Sequence, residues 1–159
     1  MKQVNLFVDM DGTVAKFYHD KNFLHKMMTK GYFENLLPYA IAEQIDTLAS
    51  NNKINVCILS ACVDTPYCKQ EKAKWLARYM PNVKTAIFTM VGENKVQAVS
   101  KQYSNDINIL LDDYSHNLIQ WEQAGANWIG IKYLNGRNNK SKQWKGKTAR
   151  TIKQLLQHI

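Results

Sequence analysis

Two aspartates, Asp9 and Asp11, stand one residue apart at the end of the apolar run Leu6-Phe7-Val8, and Gly12-Thr13 follows them. The run has the composition of a buried strand. The pair therefore sits at the strand's C-terminal mouth, the edge at which open α/β sheets bind ligands. Carboxylates held that close repel each other unless positive charge neutralises them. A divalent cation does so, and oxygen-only ligands suit Mg²⁺. Taken alone, the segment also has a plainer reading, a strand closed by an Asp-Gly turn.

Other polar groups fall at comparable places. Residues 54–59 (INVCIL) form a short apolar run ending in Ser60-Ala61, and residues 107–111 (INILL) form one ending in Asp112-Asp113. Lys95 follows Gly92-Glu93-Asn94 at the expected start of a helix. Each has a simple alternative: Ser60 as a helix cap, Lys95 as a solvated lysine, Asp112-Asp113 as a turn leading into the next helix. Two adjacent carboxylates on a buried strand end remain costly without a cation. If the strands are parallel, Asp9, Asp11, Ser60, Asp112 and Asp113 converge on one sheet edge within reach of Lys95.

The elements that must position these groups alternate in type. Strands are expected at residues 6–8, 54–59, 86–90, 107–111 and 127–133, and helices at 39–50, 64–79, 93–102, 115–124 and 148–158. Asp64 or Thr65 is the expected cap of the second helix, with Pro66 in its first turn. Such alternation implies right-handed crossovers and a mainly parallel sheet in a single α/β domain spanning residues 1–159. There is no internal repeat and no long linker. The stretch from Val14 to Pro38 is too long for a simple βα loop. Its position directly after the aspartate pair predicts a small insertion, residues 15–38, folded over the site. It carries Phe17, Tyr18, Phe23, Tyr32 and Phe33, with His19 and His25.

Composition narrows the class. The chain has 159 residues and a formal net charge of +8, enough length for one domain with a real core. The basic surplus favours anionic ligands, phosphate esters or nucleic acid, or else a generic solvated surface. It is densest late in the chain, in Lys132, Arg137, Lys140, Lys142, Lys145, Lys147 and Arg150, and the loop at 134–146 follows the last strand. Cys57, Cys62 and Cys68 are an odd set without metal-site spacing, which predicts free thiols in a reducing cytoplasm. No apolar run approaches the ~20 residues of a membrane span. The opening MKQVNLFVDMDG has no signal-peptide pattern. A cytoplasmic protein without a membrane partner is expected.

Read in order, LFVDMDGT, CILS, Lys95 within GENKVQ, and NILLDD resemble the four motifs of the haloacid dehalogenase (HAD) phosphatase superfamily: hhhhDxDGT, hhh(S/T), a Lys, and hhhhDD. The resemblance implies a three-layer Rossmann-like core with a small cap inserted after the first strand. It implies that Asp9 is the nucleophile of an aspartyl-phosphate intermediate. Asp11 is then the general acid and base. Mg²⁺ is expected on the Asp9 carboxylate, the Asp11 main-chain carbonyl and the Asp112-Asp113 pair, with Asp113 the direct ligand and Asp112 just behind. Ser60, Ala61 and Lys95 are the implied phosphate-binding residues.

Within that superfamily, the short cap, DMDGTVAKF, ILLDD and the late Asn135-Gly136…Trp144-Lys145-Gly146 loop look like the 5'(3')-deoxyribonucleotidase family. That family often offers two hydroxyls in its second motif, whereas Ser60-Ala61 offers one. The implied activity is Mg²⁺-dependent hydrolysis of nucleoside monophosphates. Phe17, Tyr18 and Phe33 are then candidates to stack on a base, for ~1–3 kcal/mol each, or simply to pack the cap onto the core. Sugar phosphates and terminal phosphates of nucleic acid are alternative substrates. A non-catalytic module that binds phosphate or nucleic acid is the alternative of another class.

Overall fold

A computed structural model describes residues 2–51, 53–138 and 143–159. Six parallel strands form one sheet: β1 (Val4–Val8), β2 (Asn55–Cys62), β3 (Thr85–Met90), β4 (Ile107–Asp112), β5 (Trp128–Tyr133) and β6 (Lys147–Ala149), in the order β3-β2-β1-β4-β5-β6. The central strands carry the unbroken apolar runs Leu6–Val8, Val56–Leu59 and Ile109–Leu111 because both faces of a parallel sheet are covered. Alternation along β1 sends Leu6 and Val8 to one face and Phe7 to the other.

Helices α2 (Ala40–Ala49), α3 (Cys68–Tyr79) and α6 (Ile152–Leu156) cover the first face, burying Ile41, Ile45, Trp75 and Leu155. Helices α4 (Lys95–Tyr103) and α5 (Ser115–Glu122) cover the second, where Val99, Leu118 and Trp121 pack on Phe7 and Leu110. The result is three layers. Val8 is level with Ile58 on one side and Leu111 on the other. That register sets the ends of β1, β2 and β4 side by side.

Between β1 and α2 the chain leaves the sheet edge and returns. It departs and rejoins at one bridge between Ala15 and Pro38, where Lys16 N–H donates to Leu37 O and Tyr39 N–H to Val14 O, both at 2.8 Å. The excursion contains α1 (Phe23–Met27) and a 3₁₀ turn at Phe33–Asn35. It is fastened to α3: Glu71 accepts from Gly31 N–H at 2.5 Å and Phe33 N–H at 3.1 Å, and the Trp75 indole donates to Leu36 O at 2.7 Å.

Three expected boundaries differ. β2 runs on through Ser60 to Cys62, because Ser60, Ala61 and Cys62 still pair with β3. α3 begins at Cys68 rather than 64; Thr65 Oγ accepts the Cys68 N–H at 3.2 Å, and residues 64–67 form a bend ahead of the helix. The expected helix at 148–158 is split. Residues 147–149 add the edge strand β6, and α6 starts only after Thr151, whose hydroxyl accepts from Gln154 N–H at 3.3 Å. Among the described residues no helix is long and apolar enough to cross a membrane. Lys140 and Lys142 of the basic loop lie outside the described residues.

Candidate active site

The strand register delivers the carboxylates to one place. Asp9 follows β1 directly and Asp112 ends β4, and Lys95 at the first turn of α4 reaches both: its Nζ lies 2.6 Å from Asp9 Oδ1 and 2.7 Å from Asp112 Oδ2. Asn94 caps α4 by accepting the Val96 N–H at 2.9 Å, which fixes the turn that carries Lys95. Lys95 is only 4% exposed, so this is a buried ion cluster and not a surface pair. Thr13 ties the two strand ends together. Its hydroxyl accepts from Asp113 N–H at 3.1 Å and lies 3.4 Å from Asp9 Oδ2.

Asp112 and Asp113 are adjacent but differently engaged. The Asp112 carboxylate, fully buried, accepts from Lys95, from Tyr114 N–H at 2.8 Å and from the Asn117 amide at 2.9 Å. Among the described residues the Asp113 carboxylate has one weak partner, the Asn135 amide at 3.3 Å. Asp9, Asp112 and Asp113 each present an oxygen such that all three lie within 4.8 Å of one another, a spacing that suits a bound cation. Gly12, at φ +85°, lets Asp113 approach: a Cβ there would stand 2.3 Å from Asp113 Oδ2.

The electrostatics marks the cluster as a place that favours added positive charge. Burial, and then the neighbouring Asp112 and Asp11, push the Asp9 carboxyl up to about 7 despite Lys95. Burial, with Asp112 and Asp9 beside it, raises Asp113 well above the ordinary carboxylate range. Burial among like charges favours the protonated form of both carboxyls, and a hard cation bound there would displace those protons. Among the described residues Asp9, Asp11, Asp112 and Asp113 meet the Lys95 and Lys72 ammoniums, and a divalent ion would balance the cluster. The oxygen donors fit Mg²⁺.

Of the expected residues, Asp9, Asp11, Ser60, Lys95, Asp112 and Asp113 are brought together. Ala61, Phe17, Tyr18 and Phe33 line the cavity of about 530 Å³ that opens beside them. His19, Phe23, Leu24, Met27, Val63, Val91 and Tyr114 extend a mostly apolar wall, and Asn117, Asn135, Arg137 and Asn138 add polar groups to it. His19 stacks on Phe23 with ring centres 4.6 Å apart, and Phe17 meets both edge-on.

Lys72, Asn135 and Asn138 were not expected as site residues, whereas the loop at 134–146, with Arg137, was expected near this edge. Lys72 of α3 donates to Asp11 Oδ2 at 2.5 Å and to Ser60 Oγ at 2.9 Å. Asn135 Nδ2 donates to Gly12 O at 2.9 Å, and its side-chain Oδ1 accepts from Arg137 and Asn138 N–H. Asn138 donates to Asp113 O at 3.0 Å. This loop also lays the Arg137 guanidinium over the Tyr18 ring, 3.5 Å from its centre. The signal for Lys72 was present: it shares a helical stripe with Cys68, Trp75 and Leu76, all buried, and a lysine there needs a partner.

No protein-family model matches the sequence, and no curated protein matches it. Solved structures do. A phosphoserine phosphohydrolase-like protein from Francisella tularensis subsp. tularensis SCHU S4 superposes with a TM-score of 0.64 at 14% identity, over 99% of this chain and 100% of the other. A phosphoserine phosphatase captured as a phospho-aspartyl intermediate analogue superposes with a TM-score of 0.58 at 9% identity, over 100% of both chains. The chain has the Rossmann-like HAD fold. The six-stranded parallel sheet with helices on both faces is that architecture.

Proposed function

We propose that this chain is a Mg²⁺-dependent phosphomonoesterase that works through an aspartyl-phosphate, with nucleoside monophosphates as its substrate class. The observation that carries the reading is the Lys95 ammonium between Asp9 and Asp112, with Asp11 and Asp113 at the same sheet edge under an aromatic-walled cavity.

Asp9 attacks phosphorus along the line of the departing ester oxygen, and the P–O bond breaks with its electron pair going to that oxygen. Asp11 gives the oxygen a proton. In the second half, Asp11 takes a proton from water as that water attacks phosphorus, and the Asp9 carboxylate is released. Lys95 and the Ser60 hydroxyl, with main-chain groups at Ala61, bind the phosphoryl oxygens. Mg²⁺ would sit on Asp9, Asp113 and the Asp11 carbonyl, where it keeps the carboxylates ionised and adds positive charge beside the phosphoryl group. Asp113 would be the direct ligand, because the oxygens of Asp112 are already engaged by Lys95, Tyr114 and Asn117.

The insertion acts as the cap. Phe17, Tyr18 and Phe33 line the cavity from it, and a flat, largely apolar leaving group such as a nucleoside covers that wall. A leaving group as small and polar as serine would leave most of it uncovered. The three cysteines are free and buried, which fits a reducing compartment, and we place the protein in the cytoplasm.

The test is a phosphatase panel with Mg²⁺: ribo- and deoxynucleoside 5'- and 3'-monophosphates, sugar phosphates, phosphoserine and phosphorylated oligonucleotides, each repeated in EDTA. Nucleoside monophosphates are expected to give the highest kcat/KM, chelation to abolish turnover, and Asp9→Asn to be inactive. Preference for a sugar phosphate or an oligonucleotide end would replace the substrate class. An inert wild type, or an active Asp9→Asn, would remove the catalytic reading.

A further inference from the structure

Lys72 is fully buried, and its ammonium donates to three oxygens: Asp11 Oδ2 at 2.5 Å, Ala61 O at 2.6 Å and Ser60 Oγ at 2.9 Å. Those are all the protons an ammonium can offer. Its open side faces the Phe33 ring, 4.7 Å from the centroid. Burial works against the charge, but Asp11 outweighs it and holds the ammonium above the ordinary lysine range. Lys72 is thus a fixed cation with no hydrogen to spare for a substrate.

Its partner is unevenly held. Asp11 Oδ2 is pinned by Lys72, whereas Asp11 Oδ1 is buried with no partner among the described residues. An unpaired buried acceptor is costly, and a proton shared with a leaving-group oxygen would satisfy it. The preceding residue in α3, Glu71, holds Gly31 and Phe33 of the insertion by their main-chain N–H groups. Consecutive residues of one helix therefore grip the insertion and the Asp11 carboxylate.

We propose that Lys72 is a positioning residue for proton transfer: it fixes Asp11 Oδ2 and the Ser60 hydroxyl so that Asp11 Oδ1 is the oxygen presented to the leaving group. The inference rests on the phosphomonoesterase reading above. Asp11 Oδ1 takes a proton from the monoanionic ester as it binds; in the step that Oδ1–H bond breaks, the alcohol O–H forms, and the electron pair of the broken P–O bond is neutralised by that proton. Asp11 becomes a carboxylate beside a cation already in place, so no reorganisation is needed as its charge develops. The same cation faces Asp11 when it later takes a proton from water.

The test compares an ester that needs an acid with one that does not. β-Glycerol phosphate leaves as an alkoxide, and p-nitrophenyl phosphate leaves as a stable phenolate. Lys72→Met is expected to lower kcat ~100-fold on the glycerol ester and less than ~10-fold on the nitrophenyl ester, with KM little changed. The double variant Lys72→Met/Asp11→Asn should be no slower than Asp11→Asn alone, since both remove one function. Circular dichroism establishes that each variant is folded; Lys72→Gln replaces Lys72→Met if the latter is not. Equal losses on the two esters, or fully additive losses in the double variant, would overturn the proposal and leave the phosphatase reading standing. A wild type inert on both esters would remove the two together.

Discussion

Asp112 and Asp113 are one bond apart in sequence and perform different work because their surroundings differ. Asp112 is a hub: it shares Lys95 with Asp9 and closes the first turn of the β4–α5 connection through Tyr114 N–H. Removing its charge leaves the buried Lys95 with one carboxylate fewer, and breaking one arm of a buried ionic cluster costs about 3–5 kcal/mol. The Asp113 carboxyl instead is raised well above the ordinary carboxylate range, by burial first and then by Asp112 and Asp9 beside it. An asparagine there removes a repulsion and a cation ligand together. Asp113→Asn is therefore expected to raise the Mg²⁺ concentration for half-maximal phosphatase activity by roughly tenfold or more, with a metal-free melting temperature at or above wild type. Asp112→Asn should lower the melting temperature by several degrees. Metal titration of activity and thermal melts in EDTA read the two effects separately; a reversed pattern would make Asp112 the metal ligand.

Helix α3 does more than cover the sheet. Through Glu71 and Trp75 it fastens the insertion, and through Lys72 it touches Asp11. The Glu71 carboxylate accepts two main-chain N–H groups, and Glu71→Gln sets an amide N–H₂ against one of them, for about 1.5–3 kcal/mol. Hydrogen exchange is expected to quicken selectively in residues 21–36 while the amides of β1 and β4 stay protected. Uniform acceleration would mean that Glu71 supports the whole core instead. Much of this was legible at the level of elements, because β1, β2 and β4 each carry an apolar run that meets a polar residue, Asp9, Ser60 and Asp112, at the same edge. What escaped was set by pairing across distant segments. Lys72 looks like a helix lysine until Asp11 lies beside it, and Asn135 and Asn138 look like turn residues until β5 carries them against Gly12 and Asp113. β6 is three residues of an edge strand with no apolar alternation to announce it; only its pairing with β5 defines it.

For the molecule as a whole, the cation cluster sets how stability depends on pH. An Asp9 carboxyl ordinarily near 3.8 is pushed to about 7 in the folded chain, chiefly by burial. Between those values the folded state binds a proton that the unfolded state has released, so unfolding becomes easier as pH rises through the window. Asp113, raised for the same reason, acts in the same direction. Lys95 stays charged throughout, its proton held more tightly than an ordinary lysine's by Asp112 and Asp9. Cys62 runs the other way. The Cys68 thiol beside it, opposed by burial and helped by Lys72, lowers it to about 7, so its contribution to stability grows only above that pH. In EDTA the melting temperature should therefore fall from about pH 5 towards pH 7. Mg²⁺ binds the deprotonated cluster and must displace its protons, so added Mg²⁺ should raise the melting temperature far more near pH 7.5 than near pH 5. Thermal melts on a grid of pH and Mg²⁺ concentration measure this directly. A melting temperature that climbs with pH in EDTA, or a Mg²⁺ effect equal at both pH values, would mean that Asp9 and Asp113 are ionised without a cation and that their crowding is relieved by something other than metal.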